Sequence, residues 1–138
     1  MFLQNDTIKL VLADGSAIVR AGIKRLLSQI PEIRVIAECI DTRSAMMAIA
    51  ANKPDMVMVD FHLGSGTAIE VMRLCRAMNP RPVCIVHTLQ TDPGTRTLCY
   101  SAGADVFYDK SADLNPLLTM LRKLSAVLLG DEALAEVA

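Results

Sequence analysis

Two carboxylates, a lysine, an imidazole and a hydroxyl stand where short apolar runs of this chain end. Asp14 closes "IKLVLAD", Asp60 closes "DMVMVD", His87 and Thr88 close "PVCIVHT", and Asp109 and Lys110 close the run that begins at Asp105. Carboxylate oxygens suit Mg²⁺, and a lysine ammonium neutralises phosphoryl oxygens. A short side chain at a strand end can accept from or donate to a bound oxyanion, and an aspartate can itself be a nucleophile that forms an acyl phosphate. These residue types point to a site that handles metal and phosphate. The stretch "MVMVDFHLGSG", residues 56–66, sharpens the point, because a carboxylate ending a buried run is costly unless it is paired or used.

The elements that must position these groups follow from periodicity. Five β-rich runs, residues 8–14, 33–39, 55–60, 82–88 and 105–109, alternate with five amphipathic segments. In the first segment Ile18, Gly22, Leu26 and Ile30 fall at i+4 steps, widened by Val19, Ile23 and Leu27, with Ser16 as cap and Pro31 as stop. The second starts near Thr42, presents Ala45, Met46, Ile49 and Ala50, and ends before Lys53-Pro54; the third starts near Thr67 and presents Ile69, Met72 and Met78. Asp92-Pro93 opens a fourth that closes at Gly103, and Asn115-Pro116 opens a fifth with a cap and a first-turn proline. The runs ending at Asp14, Asp60 and Thr88 are nearly continuous in apolar residues, as parallel strands covered on both faces require. The pattern predicts an α/β (βα)5 fold with right-handed crossovers. In open sheets of this kind ligands bind beyond the carboxyl ends of the strands, where Asp14, Asp60, His87 or Thr88, and Asp109 or Lys110 should converge.

Composition narrows the function classes. The chain has 138 residues, 52% of them hydrophobic, which suits one domain with a proper core. A net charge of −1 and 14 scattered Lys and Arg residues give no footprint for nucleic acid. Cys39, Cys75, Cys84 and Cys99 lack CxxC spacing and lie in apolar segments, as reduced core thiols of a cytoplasmic protein would. The N-terminus shows no signal-peptide pattern, and no apolar run approaches the ~20 residues of a membrane span.

The residues Ile8 to Asp14, Arg20-Ala21-Gly22, Pro54 to Asp60, Pro82 to Val86, and Ala102-Gly103-Ala104-Asp105 followed by Lys110 resemble the receiver domain of bacterial response regulators, particularly the nitrate-response type. The resemblance covers roughly residues 8–128. It implies a flavodoxin-like doubly wound parallel sheet in the order 2-1-3-4-5, with a receiver over residues 1–130 and a short tail at 131–138. It further implies that Asp60 is the phosphoacceptor, that Lys110 holds the phosphoryl group, and that Asp14, Asp60 and the main-chain carbonyl of His62 take up Mg²⁺. Phe107 matches the aromatic position whose ring turns inward on phosphorylation. The partners implied are a sensor histidine kinase or histidine phosphotransfer protein and a downstream protein target, with a homodimer possible. The short tail suggests a stand-alone receiver that is not an enzyme.

Departures from the family pattern qualify those roles. Gly15 stands where the second acid of the first strand touches Mg²⁺, which predicts weaker metal binding. His87 stands where a Thr or Ser would bind the phosphoryl group, with Thr88 one residue late; a slip of one reverses a strand side chain. A protonated His87 could meet the phosphoryl oxygens as a cation, or simply occupy the position with altered switching. Gly64-Ser65-Gly66 lacks a proline, which predicts a flexible turn, and Ser111 replaces a proline after the lysine, so no cis bond is expected there. The alternative to a working phosphoacceptor is a phosphorylation-independent pseudo-receiver serving as an interaction module. Simpler readings make Asp14 and Asp60 turn residues, the His62 side chain a solvated one, the eight methionines core filler, and Tyr108 a core ring with a bonded hydroxyl. On the fifth helix Leu117, Leu121, Leu124 and Leu128 form a core stripe, leaving Leu118, Val127 and Leu129 for a partner.

Overall fold

The computed structural model describes residues 7–130, so the tail expected at 131–138 lies outside the described residues. The elements in chain order are β1 (Ile8–Ala13), α1 (Ala17–Leu27), β2 (Ile33–Cys39), α2 (Thr42–Asn52), β3 (Met56–Val59), β4 (His62–Leu63), β5 (Gly66–Thr67), α3 (Ala68–Ala77), β6 (Val83–Thr88), α4 (Pro93–Ala102), β7 (Val106–Asp109) and α5 (Leu114–Leu128). The five long strands are all parallel, in the order β2-β1-β3-β6-β7. This is the expected flavodoxin-like arrangement. The small antiparallel pair β4 and β5 was not expected from the sequence.

Strand alternation divides the interior in two. Leu10, Leu12, Met56, Met58 and Ile85 face α1 and α5, where Ile23, Leu26, Leu27, Leu117 and Leu121 meet them. Val11, Ala13, Val57, Val59, Cys84 and Val86 face the other way, onto Ala45 and Ile49 of α2, Val71, Met72 and Cys75 of α3, and Cys99 of α4. All four cysteines are free and buried. Met56, Met58 and Met72 are core residues, whereas Met47 is 62% exposed.

The helix starts follow side-chain capping. Ser16, Asp41, Thr67, Asp92 and Asp113 each accept a backbone N–H of the following turn, and Asp41 with Ser44 completes a capping box. The cap of α5 is Asp113 rather than Asn115, because the Asp113 carboxylate accepts the Asn115 N–H at 3.0 Å; Asn115-Pro116 lies within the first turn. Ile18, expected on the buried stripe of α1, is 86% exposed. The buried stripe runs instead through Val19, Ile23, Leu26, Leu27 and Ile30, and one helical residue of rotation carries Ile18 past its edge. Leu118 and Leu129 pack onto the α5 side of the core, so of the three residues expected to be left over only Val127, 47% exposed, is open.

Because β2 and β3 lie on opposite sides of β1, the direction of winding reverses there. The crevice at such a reversal is where open α/β sheets bind ligands. Asp14 and Asp60 flank it.

Candidate phosphoryl site

The parallel ladders continue one residue past the strand ends. Asp14 N–H donates to the Cys39 carbonyl at 2.9 Å, Asp60 N–H to the Ala13 carbonyl at 3.0 Å, and Lys110 N–H to the Thr88 carbonyl at 3.0 Å. Sheet register alone thus sets Asp14, Asp60 and Lys110 in a row along one edge.

Their side chains meet. Lys110 Nζ lies 2.6 Å from Asp14 Oδ2 and 2.8 Å from Asp60 Oδ2, bridging the two carboxylates. Asp14 is further held by the Ser16 N–H on Oδ1 at 2.8 Å and by His87 Nε2, 3.0 Å from Oδ2. Burial alone would raise the Asp14 pKa, but the bonds from His87, Lys110 and Ser16 outweigh it and hold the carboxyl well below the usual carboxylate range. For Lys110 burial works against the charge, and the two carboxylates more than restore it, leaving its pKa above the ordinary value of 10.5. The two acids differ in access. The Asp14 side chain is 2% exposed and that of Asp60 is 16%.

The two candidates at the end of β6 part company. His87 turns toward the α1 and α5 side and bonds Asp14. Since an ionised carboxylate only accepts, Nε2 carries the proton of that bond; Nδ1 is buried and has no hydrogen-bond partner. The Thr88 hydroxyl, on the opposite face, accepts the Gln90 N–H at 3.1 Å. Neither arrangement puts a hydroxyl on Asp60: the β6–β7 register runs unbroken through Thr88, without the bulge that Thr88 would need to take the place of a residue one position earlier.

Phe107 is 7% exposed, already turned inward, with the Arg96 guanidinium 4.7 Å above its ring and Tyr100 6.4 Å away. Tyr108 packs on the α5 side and donates its hydroxyl to the Asp113 carbonyl. The His62 side chain is exposed but not simply solvated, since it bonds the Gln90 side chain and packs edge-on against Phe61. Gln90 was missed from sequence. It connects the β6–α4 loop to β4 through His62 and donates to the Thr95 hydroxyl at 2.9 Å. Arg20, quoted only as part of a motif, donates to the Asp14 carbonyl at 2.6 Å and pairs with Glu38 at 3.1 Å. An arginine one helical turn past Asp14 was the available signal.

The turn after Asp60 differs from the flexible loop expected. Residues 62–67 form the β4–β5 hairpin, and the Thr42 hydroxyl at the start of α2 reaches its Leu63 and Thr67 carbonyls at 3.2 and 3.3 Å. Gly64 has φ +64°, and a Cβ there would lie 2.8 Å from the Asp41 side chain; one on Gly66 would lie 2.7 Å from the Thr42 hydroxyl. The glycines permit close docking onto α2 rather than mobility. The described cis peptide is Asn79-Pro80, not Lys110-Ser111.

The donors suit Mg²⁺. That ion is commonly bound by one or two carboxylates together with waters and phosphate oxygens, and Asp14 and Asp60 are two hard carboxylates brought to one lysine. Gly15 adds none, and the described residues contain no group of three or more His, Cys, Asp or Glu suited to a metal.

Comparison with known proteins agrees with the fold. The sequence profile of the response regulator receiver domain matches residues 10–122. Over 91 residues the chain is 32% identical to protein-glutamate methylesterase/protein-glutamine glutaminase 2 of Nitratidesulfovibrio vulgaris, covering 66% of this chain and 25% of that protein. Over 103 residues it is 30% identical to the DNA-binding transcriptional activator DevR/DosR of Mycobacterium tuberculosis, covering 75% and 48%. A two-component response regulator of the LuxR family from Aurantimonas sp. SI85-9A1 superposes with a TM-score of 0.79 at 25% identity, over 94% of this chain and 96% of that one. The chain thus spans a quarter to a half of the length of these two curated relatives.

Proposed function

The chain belongs to the response regulator receiver family, and from that premise we propose that it accepts a phosphoryl group on Asp60 and signals through protein contacts that depend on that modification. The donor is a phosphohistidine on a sensor kinase or phosphotransfer protein. The observation that carries the assignment is the asymmetry of the acids: Asp60 shares Lys110 with Asp14 but is the open one, 16% against 2% exposed.

The Asp60 carboxylate attacks phosphorus through the oxygen that Lys110 does not hold. A P–O bond forms as the P–N bond breaks, and the donor imidazole leaves with the electron pair. Lys110 keeps its charge on the transferred phosphoryl oxygens. Its raised pKa, set by Asp14 and Asp60, keeps it protonated throughout the neutral range. Asp14, Asp60 and the carbonyl of His62 would hold Mg²⁺, which supplies charge neutralisation when bound. As Lys110 shifts toward the phosphoryl group, Asp14 retains His87 and Ser16 as partners. The chain itself turns over no substrate in this reading, and the receiver occupies the described residues up to 130.

His87 favours a second reading, a pseudo-receiver that keeps the fold as an interaction module. Its ring replaces the expected hydroxyl and is committed to Asp14 rather than to Asp60. Intact mass after incubation with acetyl phosphate, with and without Mg²⁺, separates the two. A single phosphate adduct lost in Asp60→Asn supports phosphotransfer; no adduct from acetyl phosphate or from a phosphorylated histidine phosphotransfer protein supports the second reading.

A further inference from the structure

The helix α2, "TRSAMMAIAAN", holds a single charged residue, Arg43. Arg43, Met47, Ala50 and Ala51 are exposed, and their spacing places them on one side of the helix, so an apolar strip follows Arg43 along its outward face. Neighbouring helices present charge there instead: α3 exposes Glu70, Arg73 and Arg76, and α1 exposes Lys24 and Arg25. A helix that is apolar all round is one that protein covers on both sides. Ala45 and Ile49 on the inward face are buried in the core, whereas no described residue covers Met47.

Beside the strip, where α2 meets α3 and the β4–β5 hairpin, runs a groove of about 570 Å³. Arg43, Met46 and Met47 line it from α2, Glu70 from α3, and Ser65 from the hairpin. Arg43 and Glu70 are both exposed, and neither makes an ion pair among the described residues. Methionine and arginine are enriched at protein interfaces, and a methionine side chain adapts to an irregular gap. The two charges select the occupant. A partner of one sign would satisfy one of them and repel the other. In a two-fold contact the same patch serves both sides, so Arg43 of each copy meets Glu70 of the other and both charges are paired. We propose that this face docks a second copy of the chain, with Met47 of each copy in the groove of the other and an Arg43–Glu70 pair on either flank. The association needs no phosphoryl group, and it uses the side of the sheet opposite α1 and α5.

The test is sedimentation velocity of the full, unphosphorylated chain over a range of protein concentrations. The wild type should show a concentration-dependent equilibrium of monomer and dimer. Met47→Lys, at an exposed position that leaves the core untouched, should weaken it about thirtyfold, as loss of a central interface side chain does. Leu98→Lys, at an exposed position on α4, should leave it unchanged. Arg43→Glu and Glu70→Arg should each weaken it about tenfold or more, because each sets like charges against one another on both flanks. Mixed in equal amounts, those two variants should pair with each other as tightly as the wild type pairs with itself, since every facing charge is then opposite in sign. A wild type that stays monomeric at every concentration would overturn the docking surface. So would an association that survives Met47→Lys or is broken by Leu98→Lys, or one that the mixture of charge variants fails to restore.

Discussion

Asp14 and Asp60 are both carboxylates at the ends of neighbouring strands, yet their surroundings give them different work. Asp14 is enclosed, with His87, Lys110 and the Ser16 N–H on its two oxygens. Because those bonds hold its pKa below the ordinary 3.8, its contribution to stability is complete above that value and is lost as pH falls below it. Asp14→Asn should therefore cost about 2 kcal/mol at neutral pH, the range for hydrogen bonds to a charged group. In urea titrations the gap from wild type should shrink in acid, and a gap that persists unchanged well below pH 3.8 would contradict it. Gly15 beside it has room for a side chain, since a Cβ there meets only the Ile40 carbonyl, at 3.7 Å. Gly15→Asp would add a third carboxylate, and isothermal titration should show Mg²⁺ binding tighter by an order of magnitude or more. Unchanged affinity would place residue 15 away from the metal.

At the scale of elements, the β4–β5 hairpin ties the loop after Asp60 to α2. Thr42 donates to two of its carbonyls, and Gly64 adopts a left-handed conformation against the Asp41 cap. Gly64→Ala meets both a positive φ and a contact under 3 Å, and it should destabilise the fold by about 1–3 kcal/mol. Amide exchange should rise at the start of α2 as well as in the hairpin. Protection lost in the hairpin alone would mean that the two elements are not coupled. The opposite helix face tells a similar story, because α5 turns out to use Leu118 and Leu129 in its own core contact. The large apolar residues that α5 leaves exposed are Leu114 near its start and Val127 near its end.

The molecule as a whole is two apolar layers divided by one sheet whose central strands contribute to both. Met56 and Met58 of β3 face α1 and α5 while Val57 and Val59 face α2, α3 and α4, and all four are fully buried. Loss of either layer uncovers one face of strands whose other face belongs to the second layer. Leu121→Ala, a fully buried position in the α5 layer, should cost about 2–5 kcal/mol and shift one cooperative transition. Far-UV circular dichroism and tyrosine fluorescence should follow the same urea curve. Two separated transitions would mean that the layers fold independently.

Alternating apolar runs and capped amphipathic segments are local properties, so the order of elements, the parallel sheet and the location of Asp14, Asp60 and Lys110 at strand ends were all legible in the chain. Each depends on residue spacing along one element and on register that parallel pairing imposes. Directions and partners of side chains at the site were not legible in the same way. Whether His87 or Thr88 faces the carboxylates depends on one residue of strand phase, and the structure sends His87 to Asp14 and Thr88 to Gln90. Gln90 and Thr42 gain their roles from residues more than twenty positions away in the chain, which no local pattern encodes. The glycine-rich turn read as slack in one dimension and proved to be close contact in three, because only the packed position of α2 shows what a Cβ would strike.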